Sequence, residues 1–144
     1  MKLAAASDHA GYELKEDIKK YLESDGHTVE DFGCYDTESC DYPDYAQRLC
    51  EAILAGACER GVLICGTGLG MSYAANRYKG IRAALCMNTE MAKMSRAHND
   101  ANVLVLGARL IDPAVARDIL RVWMETPFEG GRHLRRIRKI DGQE

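Results

Sequence analysis

The sequence lacks several features that would assign it quickly to a class of protein. No apolar run approaches the roughly 20 residues that cross a bilayer, and residues 3–6 are too short for the core of a signal peptide. The formal net charge of −3 gives no overall attraction to nucleic acid or to an anionic membrane. We therefore expect a cytoplasmic protein whose residues 1–144 form one domain and bind neither of these partners.

The six cysteines form none of the familiar metal-binding patterns. No two are spaced C-x-x-C, and no set of histidines and cysteines has the spacing of a zinc finger. In a reducing compartment we expect free thiols, most of them small buried residues. The role of any one cysteine must therefore be argued from its position rather than from its type.

Neither of the two common nucleotide-binding loops is present, although the sequence contains a glycine-rich loop. A dinucleotide fingerprint requires G-x-G-x-x-G, but the third glycine here, Gly70, falls one residue early. Gly61 and Gly66 have the spacing of a P-loop, but Thr67 stands where that loop needs a lysine. The loop therefore indicates neither a nicotinamide cofactor nor ATP or GTP.

The same loop follows a short apolar run and a cysteine. Val62 to Ile64 are typical of a parallel strand that is buried on both faces. The strand ends at Cys65, and the glycines that follow open a segment compatible with a helix. Such a loop exposes backbone N–H groups that can bind an anion. An ordinary tight turn beside a buried cysteine is the alternative.

Strands and helices alternate along the whole chain. Predicted strands cover about residues 2–6, 28–32, 62–64, 81–86 and 103–106, and a helix follows each, with a last basic helix at about 132–140. This alternation predicts an α/β fold, a three-layer doubly wound sandwich around a five-stranded parallel sheet. Right-handed crossovers favour the flavodoxin-like, Rossmann-like strand order 2-1-3-4-5.

In that order the carboxyl ends of the first and third strands lie side by side. Asp8 and His9 follow the first strand, and Cys65 ends the third. Ligands of open α/β sheets bind in the crevice at such a switch point. The sequence therefore predicts a site that combines a carboxylate, an imidazole, a thiol and a glycine loop.

A second set of polar residues lies near the carboxyl end of the chain. His98 precedes the fifth strand, so it is expected at the opposite edge of the sheet from Cys65, either as a helix cap or as part of a neighbouring subunit's site. Arg132 and Arg136 share one helical face, as a phosphate clamp would require. A solvated basic face and a weak nucleic-acid patch are the alternatives for this helix.

Several motifs together identify a family. They are Ser7-Asp8-His9-Ala10-Gly11, Asp41-Tyr42-Pro43, Cys65-Gly66-Thr67-Gly68-Leu69-Gly70, Arg96-Ala97-His98-Asn99-Asp100, Gly107-Ala108-Arg109 and Glu129-Gly130-Gly131-Arg132-His133. With these motifs the sequence resembles the ribose-5-phosphate isomerase B family, which includes isomerases of allose and galactose 6-phosphates. One branch of the family has a glutamate base at the position of Met71, so this chain resembles the branch with a cysteine base.

The resemblance implies interconversion of ribose 5-phosphate and ribulose 5-phosphate without a metal or an organic cofactor. Cys65 would move the proton between C2 and C1, and His98 of a second subunit would assist ring opening, so we expect a homodimer or a tetramer with shared sites. Loop N–H groups and the Thr67 hydroxyl can stabilise the enediolate. The residues implied to contact the sugar or its phosphate are Asp8, His9, Gly66, Gly68, Leu69, Gly70, Asn99, Arg109, Arg132 and Arg136.

Three other functions remain open at the level of the sequence. A hexose 6-phosphate isomerase is the nearest, because the sequence does not show the depth of the pocket. A phosphosugar-binding module without activity could use the same scaffold. A flavodoxin-like FMN carrier is the third, although the sequence shows no evident pair of aromatic residues to sandwich the flavin.

Overall fold

The computed structural model describes residues 1–142, in which β-strands alternate with helices. The strands are β1 (Lys2–Ser7), β2 (Thr28–Asp31), β3 (Arg60–Cys65), β4 (Ala83–Leu85) and β5 (Val103–Gly107). The α-helices are α1 (Tyr12–Ser24), α2 (Tyr42–Leu54), α3 (Leu69–Ala75), α4 (Thr89–Ala97), α5 (Pro113–Glu125) and α6 (Arg132–Ile140). Among these described helices, none is both long and apolar enough to cross a membrane.

The five strands form one parallel sheet with a hydrophobic core on each face. Side chains of a strand alternate between the faces, so Val62 and Ile64 pack with α1 and α5 on one side. Leu63 and Cys65 pack with α2 and α3 on the other. The predicted α/β class, with its flavodoxin-like parallel sheet, is confirmed.

The order of the last two strands differs from the prediction. The observed order is β2-β1-β3-β5-β4, whereas the sequence pattern favoured 2-1-3-4-5. All residues of β5 are buried, as expected of a central strand, but the three residues of β4 are only half-buried. The longer apolar strand therefore takes the inner position, and the short β4 forms the edge.

This exchange brings the end of β5 beside the end of β3. Cys65 pairs with Gly107 in the parallel register. The N–H groups of Ala108 and Arg109 donate to the carbonyls of Cys65 and Gly66, each at 2.9 Å. A Cβ atom on Gly107 would lie 2.5 Å from the carbonyl oxygen of Thr67, so only glycine permits this approach. The glycine loop is therefore supported by the end of β5.

A buried ion pair fixes the chain after β2 against α1. Lys15 is fully buried, and its Nζ donates to both carboxylate oxygens of Asp31 at 2.6 Å and to the Cys34 carbonyl at 2.7 Å. Burial raises the pKa of the Asp31 carboxyl, but hydrogen bonds from Lys15 and Lys19 outweigh this and hold the pKa below its ordinary value. The pair thus positions the segment that leads from β2 toward the crevice.

Replacing Asp31 with asparagine should therefore destabilise the fold. Because it leaves the buried Lys15 ammonium with only the partly exposed Glu16 carboxylate, 3.5 Å away, as a counter-charge, we expect a loss of about 3 kcal/mol in the free energy of unfolding at neutral pH. Since the pKa of Asp31 is lowered in the folded state, the difference from the parent should shrink as the pH falls through that pKa. Urea unfolding at several pH values measures both effects.

The matched control is Asp17→Asn. Asp17 forms a partly exposed ion pair with Arg117 at 2.7 Å, and such pairs contribute less than about 1 kcal/mol. If Asp31→Asn cost no more than Asp17→Asn, the buried pair would not hold the segment after β2.

Candidate active site

The ends of β1 and β3 lie side by side, as the sequence predicted for the site. Ser7 pairs with Ile64, and the N–H of Asp8 donates to the Ile64 carbonyl at 3.2 Å. A Cβ atom on Gly11 would lie 2.7 Å from that same carbonyl oxygen, so glycine lets the turn after β1 pack directly on β3. The crevice is therefore built by backbone contact between the two strand ends.

Hydrogen bonds to backbone N–H groups fix the side chains of Asp8 and His9 within this turn. The buried Asp8 carboxylate accepts the N–H groups of Ala10 and Gly11 through Oδ1, which caps a short 3-10 turn. His9 Nδ1 accepts the Cys40 N–H at 3.2 Å. The neutral imidazole therefore carries its proton on Nε2, which can donate to a ligand.

Cys65 is buried at the end of β3, and its sulfur has a backbone donor. The N–H of Gly68 points to Sγ at 3.2 Å. Gly68 has φ 82°, in the left-handed region that favours glycine, and this turn starts α3. A donor aimed at the sulfur stabilises negative charge there, as a thiolate base requires.

Thr67 and Leu69 are exposed on the outer side of the same loop. The Thr67 hydroxyl oxygen accepts the Leu69 N–H at 3.2 Å. Its hydrogen is not used in that bond and can be donated to an oxyanion. The donor role of Thr67 stays a prediction.

Neighbouring side chains pack closely on two of the loop glycines. A Cβ atom on Gly66 would lie 3.0 Å from Arg109 Nη1, so the guanidinium group packs against the loop. A Cβ atom on Gly70 would lie 2.5 Å from the ring of Tyr42. Tyr42 therefore packs against the glycine loop, a contact that its place in a recognised motif did not predict.

His98 and Asn99 lie at the other edge of the sheet, as predicted. They directly follow α4, before β5 begins at Val103. Val103 pairs with Gly61, and four residue steps of roughly 3.3 Å separate Gly61 from Cys65 along the strand. Within one chain, therefore, the structure does not bring His98 and Asn99 to Cys65.

The beginning of α6 packs beside His98. The rings of His98 and His133 stack with centroids 4.3 Å apart and an interplanar angle of 13°. Burial lowers the pKa of His133, and the charges of Arg132 and His98 lower it further. Arg132 and Arg136 are exposed on the same helix. One chain thus carries two groups of candidate residues, one at each edge of the sheet.

Arg82 connects the elements of this second group. Its guanidinium group donates to the Asn99 carbonyl at 3.0 Å and to the Asp141 carboxylate at 2.7 Å. These bonds tie the end of α4 to the end of α6. Arg82 lies outside every recognised motif, so it was not among the residues predicted from the sequence.

Comparison with known proteins decides the family. A model of the Ribose/Galactose Isomerase family matches residues 3–140. The chain belongs to this family. The resemblance to ribose-5-phosphate isomerase B that the motifs carried is confirmed, and with it the expectation that the protein is an enzyme of the isomerase class.

Members of the ribose/galactose isomerase family match over nearly their whole length. A ribose 5-phosphate isomerase from Thermotoga maritima has a crystal structure that superposes with a TM-score of 0.96 at 57% identity, covering 98% of this chain and 97% of that chain. Ribose-5-phosphate isomerase B of Escherichia coli is 42% identical, with 99% of this chain and 96% of the relative covered. D-erythrulose-4-phosphate isomerase of Pectobacterium atrosepticum is 43% identical, with 97% and 93% covered.

Proposed function

We propose that the protein interconverts D-ribose 5-phosphate and D-ribulose 5-phosphate through ring opening and a cis-enediolate. The observation that carries this proposal is Cys65, placed at the crevice of an isomerase fold with the Gly68 N–H directed at its sulfur. In the cell the reaction belongs to the cytoplasmic pentose phosphate pathway. The ribose 5-phosphate activity of named relatives supports the choice of a pentose.

The proton transfer needs no external oxidant or reductant. After the sugar ring opens, the Cys65 thiolate takes the proton from C2, and the electron pair of the broken C–H bond forms the C1=C2 bond of the enediolate. As that bond forms, the π electrons of C1=O move onto O1. The thiol then returns the proton to C1, while the hydroxyl proton on O2 passes to O1 and the C2=O bond forms, which yields the ketose. Negative charge that develops on oxygen is stabilised by the N–H groups of the glycine loop and by the Thr67 hydroxyl.

The remaining site residues bind and orient the substrate. The His9 Nε2–H and the Arg109 guanidinium lie at the crevice, where they can hold a phosphate together with Arg132 and Arg136. Asp8, Leu69 and the loop glycines contact the sugar, as does Asn99. Binding energy from the phosphate positions the reacting carbons over Cys65.

The active unit in this proposal is a homodimer, or a tetramer built from it. His98, Asn99, Arg132 and Arg136 lie at the edge of the sheet remote from Cys65 in the same chain. A two-fold axis can place each such group over the partner's crevice, which gives two equal shared sites. His98 of one subunit would then donate a proton to the ring oxygen of a sugar held by the other.

Substrate length is the point that a kinetic assay should test first. The Escherichia coli relative named for a five-carbon phosphate and the Pectobacterium atrosepticum relative named for a four-carbon phosphate are almost equally similar to this chain. We expect kcat/KM for ribose 5-phosphate to exceed the values for allose 6-phosphate, galactose 6-phosphate and erythrulose 4-phosphate. A higher value for a hexose or tetrose phosphate would replace the pentose assignment. Binding of all four sugars without turnover would favour the non-catalytic module.

A further inference from the structure

Three potential metal ligands lie close together where the beginning of α6 meets the end of α4. They are His98, Glu129 and His133, whose ligand atoms lie within 4.8 Å of one another. Two imidazoles and one carboxylate are a donor set found in catalytic zinc sites, where a fourth position stays open. Sequence spacing does not reveal this cluster, because His98 is joined to the other two only by the packing of α6 against the end of α4.

His133 provides an independent sign that a ligand is missing from this cluster. Its side chain is 5% exposed, and its Nε2 has no hydrogen-bond partner in the part of the chain that the structure describes. Buried polar atoms are normally paired, because an unpaired one loses the hydrogen bond it would make to water. This orphaned nitrogen is directed toward the Glu129 carboxylate.

The distances suit a shared metal ion better than direct hydrogen bonds. Nε2 of His98 and Nε2 of His133 each lie 3.8 Å from a different oxygen of Glu129. A hydrogen bond requires about 2.7–3.2 Å. Two ligands of one tetrahedral zinc ion, at bond lengths of roughly 2.0–2.2 Å, lie about 3.4 Å apart. The two pairs at 3.8 Å therefore need to close by only about 0.4 Å. The ring of His98 must also turn out of its stack on His133, because the lone pairs of two nearly parallel stacked rings do not converge on one ion.

Two of the three ligands can make this closure. The side chains of His98 and Glu129 are 38% and 55% exposed, so either can rotate without repacking the core. His133 is held by burial and would act as the fixed ligand. Arg132 and Arg136 act electrostatically on His133 and oppose a cation, so we expect weaker affinity than at the same ligand set without neighbouring cations.

We propose that His98, Glu129 and His133 bind a divalent transition-metal ion of the zinc type, and that the bound ion inhibits the enzyme. Inhibition follows because the ion occupies a ring nitrogen of His98, the side chain that the proposed function uses to protonate the ring oxygen. The binding site is inferred from the geometry alone, whereas inhibition by the bound ion rests on the proposed function of His98.

Cobalt(II) is the probe that tests binding without any assay of activity. The titration uses Cys65→Ser protein, so that the thiol at the crevice cannot bind the ion. We expect one cobalt ion per chain, with visible absorption bands but without the near-ultraviolet charge-transfer band of a thiolate ligand. A dominant thiolate band, or no binding, would overturn the proposal.

Single substitutions test which side chains bind the ion. Glu129→Gln removes the carboxylate at an exposed position, and we expect cobalt affinity to fall at least tenfold, since changes around a metal site commonly cost 10–100-fold. His133→Gln should have a similar effect, and if that buried substitution prevents folding, Glu129→Gln still decides. The control is Glu125→Gln, an exposed carboxylate outside the cluster that should leave affinity unchanged. Equal affinity of Glu129→Gln and the control would refute the site.

Measuring inhibition by zinc tests the inhibitory effect of the bound ion separately from metal binding. Each enzyme is compared with its own metal-free rate, and Glu129→Gln should need at least about tenfold more zinc for half-inhibition than the parent, in line with its lost ligand. Inhibition that is equal in both proteins would contradict the inhibitory role of the cluster. Cobalt binding as expected, but without zinc inhibition, would preserve the site and remove His98 from ring opening.

Discussion

Cys65→Ser protein is expected to fold and to bind ribose 5-phosphate, yet to turn it over about 10²–10⁴ times more slowly than the parent. Serine is close to cysteine in size, and its oxygen can still accept the Gly68 N–H that now reaches Sγ at 3.2 Å. A serine hydroxyl does not ionise near neutral pH, so it cannot take the proton from C2. The loss should therefore appear in kcat, with KM little changed.

The matched control is Cys86→Ser. Cys86 is buried in the core on the opposite face of the sheet, and burial raises the pKa of its thiol to about 11. A thiol of that pKa stays protonated at neutral pH and cannot serve as a base. We expect Cys86→Ser to keep near-parent turnover. A Cys65→Ser enzyme as active as this control would remove the thiol from the mechanism.

The crevice could be predicted because it depends on local signals. A short apolar run that ends at Cys65 and passes into a glycine loop defines both a buried strand and its exposed end. Asp8 and His9 stand at the same point after β1. Parallel strands bring such ends to one edge of the sheet, so the pattern alone places these residues together.

The order of the outer strands could not be predicted from the same signals. Both β4 and β5 were recognised as strands, but their positions depend on which of them is buried more completely by the helices. The structure gives β5 the inner position, and this choice carries Arg109 to the glycine loop. The contact between Arg109 and Gly66 is therefore a consequence of packing, not of spacing.

The inward face of α6 shows a second limit of sequence patterns. Of the apolar residues of this helix, Ile137 is buried, but Leu134 and Ile140 are exposed. His133 and Ile137 face inward instead, because His133 stacks on His98. A polar ring at a buried position has no signature in hydrophobic periodicity, so the metal-ligand cluster appears only in three dimensions.

The distance between Cys65 and His98 within one chain leads to the prediction with the largest expected effect on activity. The register of β3 and β5 sets the two residues at opposite edges of one sheet, about 13 Å or more apart along the strands. No rotation of a side chain spans that distance. If both residues act on one sugar, they must come from different subunits, and each single variant must inactivate every site of its own homodimer.

Complementation between two inactive variants tests this shared site most directly. Cys65→Ser and His98→Ala proteins are mixed, subunit exchange is verified by native mass spectrometry, and isomerase activity is measured. Each mixed dimer contains one site with both residues intact, so random exchange should restore roughly a quarter of the parent activity, since half of the dimers are mixed. A fully exchanged mixture that stays as inactive as its two parents would contradict a site built from Cys65 of one subunit and His98 of the other.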